Sequence, residues 1–114
     1  KQRGIKMLRV VLIDGVPGAT ARYTSTDLAQ SLPAAVITVA GKTAVGIEVS
    51  VETQSVRVGF GGATLTQGAS GVGHLLPSGT IQKYFGSQVM STFRYISAAN
   101  GVHGALVITP FYTP

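Results

Sequence analysis

Three groups of residues have types that could support chemistry, and the first has the letters of a phosphate-binding turn. Gly41-Lys42-Thr43 matches the last three letters of a P-loop. That loop also needs a glycine five residues earlier, where Val36 stands, and a helix directly after it. We therefore predict a turn between two strands at this position. The glycine-rich run 68–73 has no preceding parallel strand and no acidic residue placed to hold a ribose, so we predict a flexible loop there.

The second group is the pair of histidines, His74 and His103, which could activate a serine or threonine nucleophile. A triad also needs an acid that orients the imidazole, and the only aspartates are Asp14 and Asp27. Both lie in turn or cap contexts, where such side chains bond to the local backbone. We therefore predict that the chain has no catalytic residues and is not an enzyme.

The third group is Glu48 and Glu52, which would share one face of a strand about 13 Å apart along the chain. This separation exceeds that of a glycosidase pair, so we predict a solvated strand face. The sequence has no cysteine and two histidines. This composition rules out disulfides and thiolate metal sites, and it argues against a structural zinc site. We expect no metal and no cofactor.

The positive charges are concentrated at the start of the chain. The formal net charge is +5, yet the residues after position 9 carry five basic and four acidic side chains, a net charge of +1. The basic residues of this arm are Lys1, Arg3, Lys6 and Arg9. Nucleic acid is disfavoured as a partner because no aromatic side chain for base stacking precedes Tyr23. We predict that the arm binds an acidic protein surface, the alternative being a disordered terminus that its charge keeps in solution.

The composition predicts a protein that associates with others. Charged residues make up 11% of the chain, against about 25% in an ordinary globular domain, so the surface is poorly protected against association. We expect a homo-oligomer, either a dimer or a trimer. No apolar run approaches the about 20 residues that span a membrane, so we expect a soluble chain with no membrane contact. The plainer alternative to an associating protein is a β-sandwich that simply has a Ser/Thr-rich surface.

The spacing of apolar residues indicates an all-β fold. Strand-like runs separated by Gly, Pro, Asn or Ser recur about every ten residues, which is typical of a sandwich or barrel. The predicted strands are 7–13, 35–40, 45–51, 56–60, 74–76, 81–85, 92–97 and 104–109. About eight strands in this order favour two packed antiparallel sheets, as in a jelly roll, over a small closed barrel. We predict an extended basic arm at 1–9 and a single β-sandwich domain at 10–114.

Local signals predict the connections between these strands. Residues 26–30 could form one helical turn that Pro33 ends, and Asn100-Gly101 is a strong hairpin signal. At the end of the sequence, Phe111 and Tyr112 have no obvious place in a core. They either dock on a neighbouring chain or close the sandwich, and we include them with the arm as candidate partner-binding residues.

Four segments of the second half carry a family pattern: VRVGFG at 56–61, GHLLPSG at 73–79, TFRYIS at 92–97 and ALVIT at 105–109. The pattern resembles small all-β virion proteins of tailed bacteriophages, the cement or decoration proteins that accompany the major capsid protein. It covers about half of the chain and marks strands and turns. The resemblance implies a rigid domain without an active site. It also implies a location on the capsid surface, where the protein would bridge major capsid protein subunits.

The alternative is an accessory module of a tail, fibre or spike that binds carbohydrate or another virion protein. Such a module would present exposed aromatic residues, for which Tyr84 and Phe85 with Tyr23 or Tyr112 are the candidates. Strand alternation places Tyr84 and Phe85 on opposite faces, so we expect one of them in the core and one exposed. The absence of tryptophan weakens this alternative.

Overall fold

Two antiparallel sheets pack against each other in the computed structural model, which describes residues 15–114. The predicted arm at 1–9 and the predicted strand at 7–13 lie outside the described residues. The strands are β1 Val16–Pro17, β2 Ala21–Thr24, β3 Gln30–Ser31, β4 Thr38–Val39, β5 Lys42–Glu52, β6 Val56–Gly59, β7 His74–Leu76, β8 Ile81–Phe85, β9 Arg94–Ser97 and β10 Ala105–Tyr112. The two short helices are α1 Ala34–Ile37 and α2 Ser87–Thr92.

The strand pairing has the order of a jelly roll. The first sheet runs β2-β10-β5-β8 and the second runs β3-β9-β6-β7, with every pair antiparallel. When β1 and β4 are left out, the remaining eight strands pair the first with the last and then inward. The pairs are β2 with β10, β3 with β9, β5 with β8 and β6 with β7. The prediction of an all-β, jelly-roll-like sandwich is confirmed. The structure has ten strands and not the predicted eight. No strand was predicted in 15–33, where β1, β2 and β3 form, and β1 and β4, of two residues each, extend the edges of β10 and β5.

The core lies between the two sheets, and strand alternation explains which residues enter it. In β5, Ile47, Val49 and Val51 are buried, as predicted, while the residues between them face outward. Leu106 and Ile108 of β10 lie opposite Val51 and Val49 and bury the same face. Each such side chain contributes about 1.5–3 kcal/mol when it is fully buried. The remaining core residues are Leu32, Ala44, Val56, Val58, Leu76, Met90, Phe93, Tyr95 and Tyr112.

The two inner strands of the second sheet, β6 and β9, are covered on both faces, which alternation alone does not predict. All four residues of β6 are buried because the segment between β6 and β7 folds back over the outer side of the sheet. Leu65 of this segment packs on Gly59, where an added Cβ would lie 2.5 Å from Leu65 Cδ2. Position 59 therefore requires glycine, because any side chain there would collide with Leu65.

The segment around Pro33 differs from the prediction. The predicted strand at 35–40 is wrong, because residues 34–37 form α1 and only the two residues of β4 are extended. The predicted helical turn at 26–30 is also wrong, since that segment bends and then enters β3. Proline has a fixed φ that suits the start of a helix, and the Pro33 carbonyl accepts hydrogen bonds from Val36 and Ile37.

Two further connections were predicted in part. The turn near Gly41 is confirmed as a two-residue hairpin loop between β4 and β5, in which Ala40 and Gly41 both have positive φ. A turn also forms at Asn100-Gly101 and closes a single antiparallel bridge between Ala99 and Val102, but it does not make a hairpin of β9 and β10, because these strands belong to different sheets. The turn therefore carries the chain from one sheet to the other.

Helix α2 was not predicted, and it occupies the start of the predicted strand at 92–97. Its Met90 is fully buried in the core, and the Met90 amide donates to the carbonyl of Gly86. The Thr92 hydroxyl donates to the Gln88 carbonyl within the helix. The six residues combine helix formers such as Gln88 with Val89 and Thr92, which favour strands, and the helix buries Met90 in the core.

Candidate functional site

The predicted partner-binding residues fall into two parts. Lys1, Arg3, Lys6 and Arg9 lie outside the described residues. Phe111 and Tyr112 are the last two residues of β10, and their side chains are on opposite faces of the first sheet.

Tyr112 points into the core of its own domain. Its hydroxyl donates to the carbonyl of Val36 in α1 at 2.5 Å, and its ring lies over Gly18, where an added Cβ would be 2.6 Å from Tyr112 Cε2. Burial raises the pKa of the Tyr112 hydroxyl. In this chain Tyr112 therefore closes the sandwich, which is the second of the two alternatives derived from the sequence. Phe111 is half-buried on the outer side and lies opposite Gly46.

The solvent-facing side of the first sheet, called the outer face below, is balanced in charge. Glu52 forms an ion pair with Arg22 at 2.6 Å, and Glu48 lies 3.9 Å from Lys83. The prediction that both glutamates are on a solvent-facing side of β5 is confirmed, and each lies beside a cation. The other residues of this face are Thr24, Gly46, Ser50, Ile81, Phe85, Ala105, Val107, Thr109 and Phe111.

Two aromatic side chains flank Gly46 on the outer face. The register places Phe111 of β10 and Phe85 of β8 on either side of Gly46. Two strand spacings separate their backbones, a distance of about 10 Å. Phe85 is 47% exposed, and an added Cβ at Gly46 would lie 2.8 Å from Phe85 Cδ1. Tyr84 packs on the opposite side with its ring centroid 4.9 Å from that of Phe60. The expected division of Tyr84 and Phe85 between core and surface is confirmed.

A chain of hydrogen bonds joins the two sheets at one end of the sandwich. The Gly104 amide donates to Ser25 Oγ at 2.8 Å, Ser25 Oγ lies 2.7 Å from Ser97 Oγ, and Ser97 Oγ lies 2.8 Å from His103 Nδ1. Each serine hydroxyl can donate one hydrogen bond and accept two, so the tautomer of His103 sets the direction of the Ser25–Ser97 and Ser97–His103 bonds. The sequence contained no signal for this network, since 72 residues separate Ser25 from Ser97.

Asp27 lies near His103 and completes a set of residue types that resembles a hydrolytic triad. Asp27 Oδ1 accepts from Gln67 Nε2 and from the Gly101 amide, both at 2.9 Å. These bonds, chiefly the one from Gln67, lower the pKa of the Asp27 carboxyl, and the charge of His103 adds a smaller effect. Ser97 is 0% exposed, so its hydroxyl does not reach a substrate in this conformation. The arrangement joins chain segments and offers no accessible nucleophile at Ser97.

The two glycine motifs take the structural roles predicted for them. Gly41-Lys42-Thr43 forms the turn and start of the β4–β5 hairpin, with no helix after it. The run 68–73 is a loop, and its Gly68 and Gly73 carbonyls accept hydrogen bonds from the guanidinium of Arg57. Alternation along β6 did not indicate that Arg57 is buried.

Neither a metal cluster nor a membrane-spanning helix is found in the part of the chain that the structure describes. Within residues 15–114, no three His, Asp or Glu side chains come together to hold a metal ion. No helix in this range is long and apolar enough to cross a membrane. Comparison with protein-family models, curated proteins and solved structures finds no match to this chain.

Proposed function

We propose that this protein is a structural virion protein that binds the major capsid protein of a tailed bacteriophage and stabilises the capsid by bridging its subunits. The proposal combines the family pattern of the sequence with the jelly-roll order of the strands. One observation supports it above the others: the outer face is charge-balanced and carries two exposed apolar side chains on strand β8, Ile81, 64% exposed, and Phe85, 47% exposed, with Lys83 between them. Exposed apolar side chains of this kind favour coverage by another protein.

Bridging would use two contacts on one chain. The basic residues 1–9 would be attracted to an acidic capsid surface, and the outer face would pack on a neighbouring subunit or on a second copy. Two modest contacts held by one chain, or by a symmetric oligomer, increase the overall affinity through effective concentration. Each contact would therefore be needed for tight binding.

Co-sedimentation with capsid shells of the same virus tests the proposal. The full chain is compared with a variant in which Lys1, Arg3, Lys6 and Arg9 are all replaced by Gln, and with a double variant, Ile81→Ser with Phe85→Ser. The control is Leu28→Ser, which removes an exposed apolar side chain from outside the first sheet. We expect binding at a fixed ratio per capsid subunit, weakened by both test variants and retained by the control.

Salt dependence separates the two contacts. Binding through residues 1–9 should weaken as ionic strength rises, because exposed charges are screened within about 10 Å at 0.1 M salt. Loss of binding in the Gln variant alone would assign the anchor to the arm. Absence of binding by the unmodified chain would contradict the capsid proposal.

The second candidate function is carbohydrate binding by a tail, fibre or spike accessory module. The observation that favours it is the pair of outer-face aromatics, Phe85 and Phe111, on either side of Gly46. Binding of the full chain to a glycan array, lost in Phe85→Ala, would support this function. Binding to capsid shells with no glycan signal would support the first proposal instead.

A further inference from the structure

An open cleft of about 360 Å³ lies beside β6, away from the outer face of the first sheet. Its walls come from four parts of the chain: the β5–β6 connection at Gln54 and Ser55, the strands β6 and β7, the glycine-rich run 68–73 and the turn that connects β9 to β10. The lining residues that matter below are Arg57, Leu75, Ala98, Ala99 and Val102. One charged side chain is thus surrounded mainly by small and apolar ones.

Arg57 is held in place by the glycine-rich run. Its side chain donates from Nη1 to the Gly73 carbonyl at 2.9 Å and from Nη2 to the Gly68 carbonyl at 3.0 Å. Arg57 is only 9% exposed, and its Nε is buried without a hydrogen-bond partner. Gly71 lies against this atom, since an added Cβ there would be 2.7 Å from Arg57 Nε. The loop therefore positions the guanidinium, covers Nε and accepts from one N–H of each terminal nitrogen, which leaves one N–H on Nη1 and one on Nη2.

The charge of Arg57 has no carboxylate partner among residues 15–114. Asp27, on a neighbouring segment, accepts from Gln67 and Gly101, and Glu52 pairs with Arg22. Buried charges in proteins are normally paired, because an uncompensated one loses its hydration without a replacement. A cleft that Arg57 lines is therefore a favourable place for an anion.

We propose that this cleft binds a carboxylate attached to a short apolar group, with Arg57 as the anion-binding residue. The planar guanidinium matches the two oxygens of a carboxylate. The exposed side chains of Leu75 and Val102 would contact the apolar part of the ligand. The carboxylate could belong to a small free acid or to an acidic residue of a protein, and the same chemistry would recognise both. This proposal does not depend on the proposed function.

The test is a titration of the full chain followed by NMR. Butyrate is the probe, and butyramide is its uncharged control of the same shape. We expect butyrate to cause saturable shifts of the Arg57 Nε–H signal and of the Leu75 and Val102 methyl signals. Charge-assisted hydrogen bonds are about twice as strong as neutral ones, so butyramide should bind at least about tenfold more weakly. Sodium chloride at matched ionic strength controls for non-specific anion effects.

Two variants keep the test decisive. Arg57→Gln removes the charge, but it changes a buried residue and could prevent folding. Ala99→Phe places a ring at the exposed mouth of the cleft and leaves Arg57 intact. It should abolish the butyrate shifts without changing the unfolding midpoint, whereas Leu28→Phe, at an exposed site elsewhere, should leave both unchanged.

The proposal is overturned if butyrate causes no saturable shift, if butyramide binds equally well, or if Ala99→Phe leaves the response intact. Two capped tripeptides, one with a central glutamate and one with a central glutamine, then identify the source of the carboxylate. Selective binding of the glutamate peptide assigns the site to an acidic residue of a protein. Binding of butyrate but of neither peptide assigns it to a small free acid.

Discussion

Replacing Ser97 by alanine should destabilise the domain by far more than its small side chain would indicate. Ser97 makes hydrogen bonds to Ser25 and to His103 at 2.7 and 2.8 Å, and both serines are fully buried. A hydrogen bond between neutral groups contributes about 0.5–1.5 kcal/mol net, and a buried polar group left unpaired costs about 1–3 kcal/mol. In Ser97→Ala the buried Ser25 hydroxyl and His103 Nδ1 both lose their hydrogen bond to Ser97. We expect a loss of about 2 kcal/mol.

Urea unfolding followed by far-UV circular dichroism measures this loss. For a domain of about 100 residues, 1 kcal/mol corresponds to about 4–8 °C in Tm, so thermal unfolding provides an independent reading. The control is Ser70→Ala, an exposed position for which we expect a change within about 0.5 kcal/mol.

A double-mutant cycle tests the cause of the loss. Ser25→Ala and Ser97→Ala each leave a partner unsatisfied, whereas the double variant removes both hydroxyls of the pair. We therefore expect the double variant to lose about 1 kcal/mol less than the two single losses combined. Additive losses, or a loss below about 0.5 kcal/mol for Ser97→Ala, would refute the hydrogen-bond chain as a stabilising connection between the sheets.

Three further changes should have distinct effects. Tyr112→Phe removes the hydrogen bond to Val36 and should lower the free energy of unfolding by about 1 kcal/mol in urea titrations; an unchanged midpoint would contradict the role of this hydroxyl. Asp27 has a lowered pKa in the folded state, so its contribution is present above about pH 4 and is lost as pH falls through the folded pKa. Asp27→Asn should therefore reduce the loss of stability between pH 6 and pH 3, and an identical pH profile would count against it. Met90→Ala opens a cavity in the core and should cost about 2–5 kcal/mol, while Ile81→Ala on the surface should change stability by less than about 0.5 kcal/mol, both measured by thermal unfolding.

Much of the fold could be predicted because its signals are local. The alternation of Ile47, Val49 and Val51 with polar residues is sufficient to place a strand and to assign its two faces. The turn at Gly41 is likewise a local signal, because glycine readily adopts the positive φ of 79° found there. Signals of this kind act over a few residues, and they led to an all-β sandwich, although the predicted count of about eight strands falls short of the ten observed.

The errors arose where a local signal competes with a distant contact. Asn100-Gly101 forms a turn in either case, but whether β9 and β10 pair depends on the arrangement of both sheets. Helix α2 was missed because its six residues are too few to show a helical period, and it forms where Met90 is buried in the core. Propensity contributes a few tenths of a kcal/mol per residue, which the burial of one large side chain exceeds.

The sequence by itself determined the fold class, the faces of the long strand β5 and the concentration of positive charge at residues 1–9. The tertiary structure decided the candidate sites, because each one joins residues that are far apart in the chain. Arg57 is buried only because a loop folds back over its strand, and the Ser25–Ser97 contact exists only because two sheets meet. Periodicity reports how one segment faces a core, whereas a binding site depends on which segments the fold brings together.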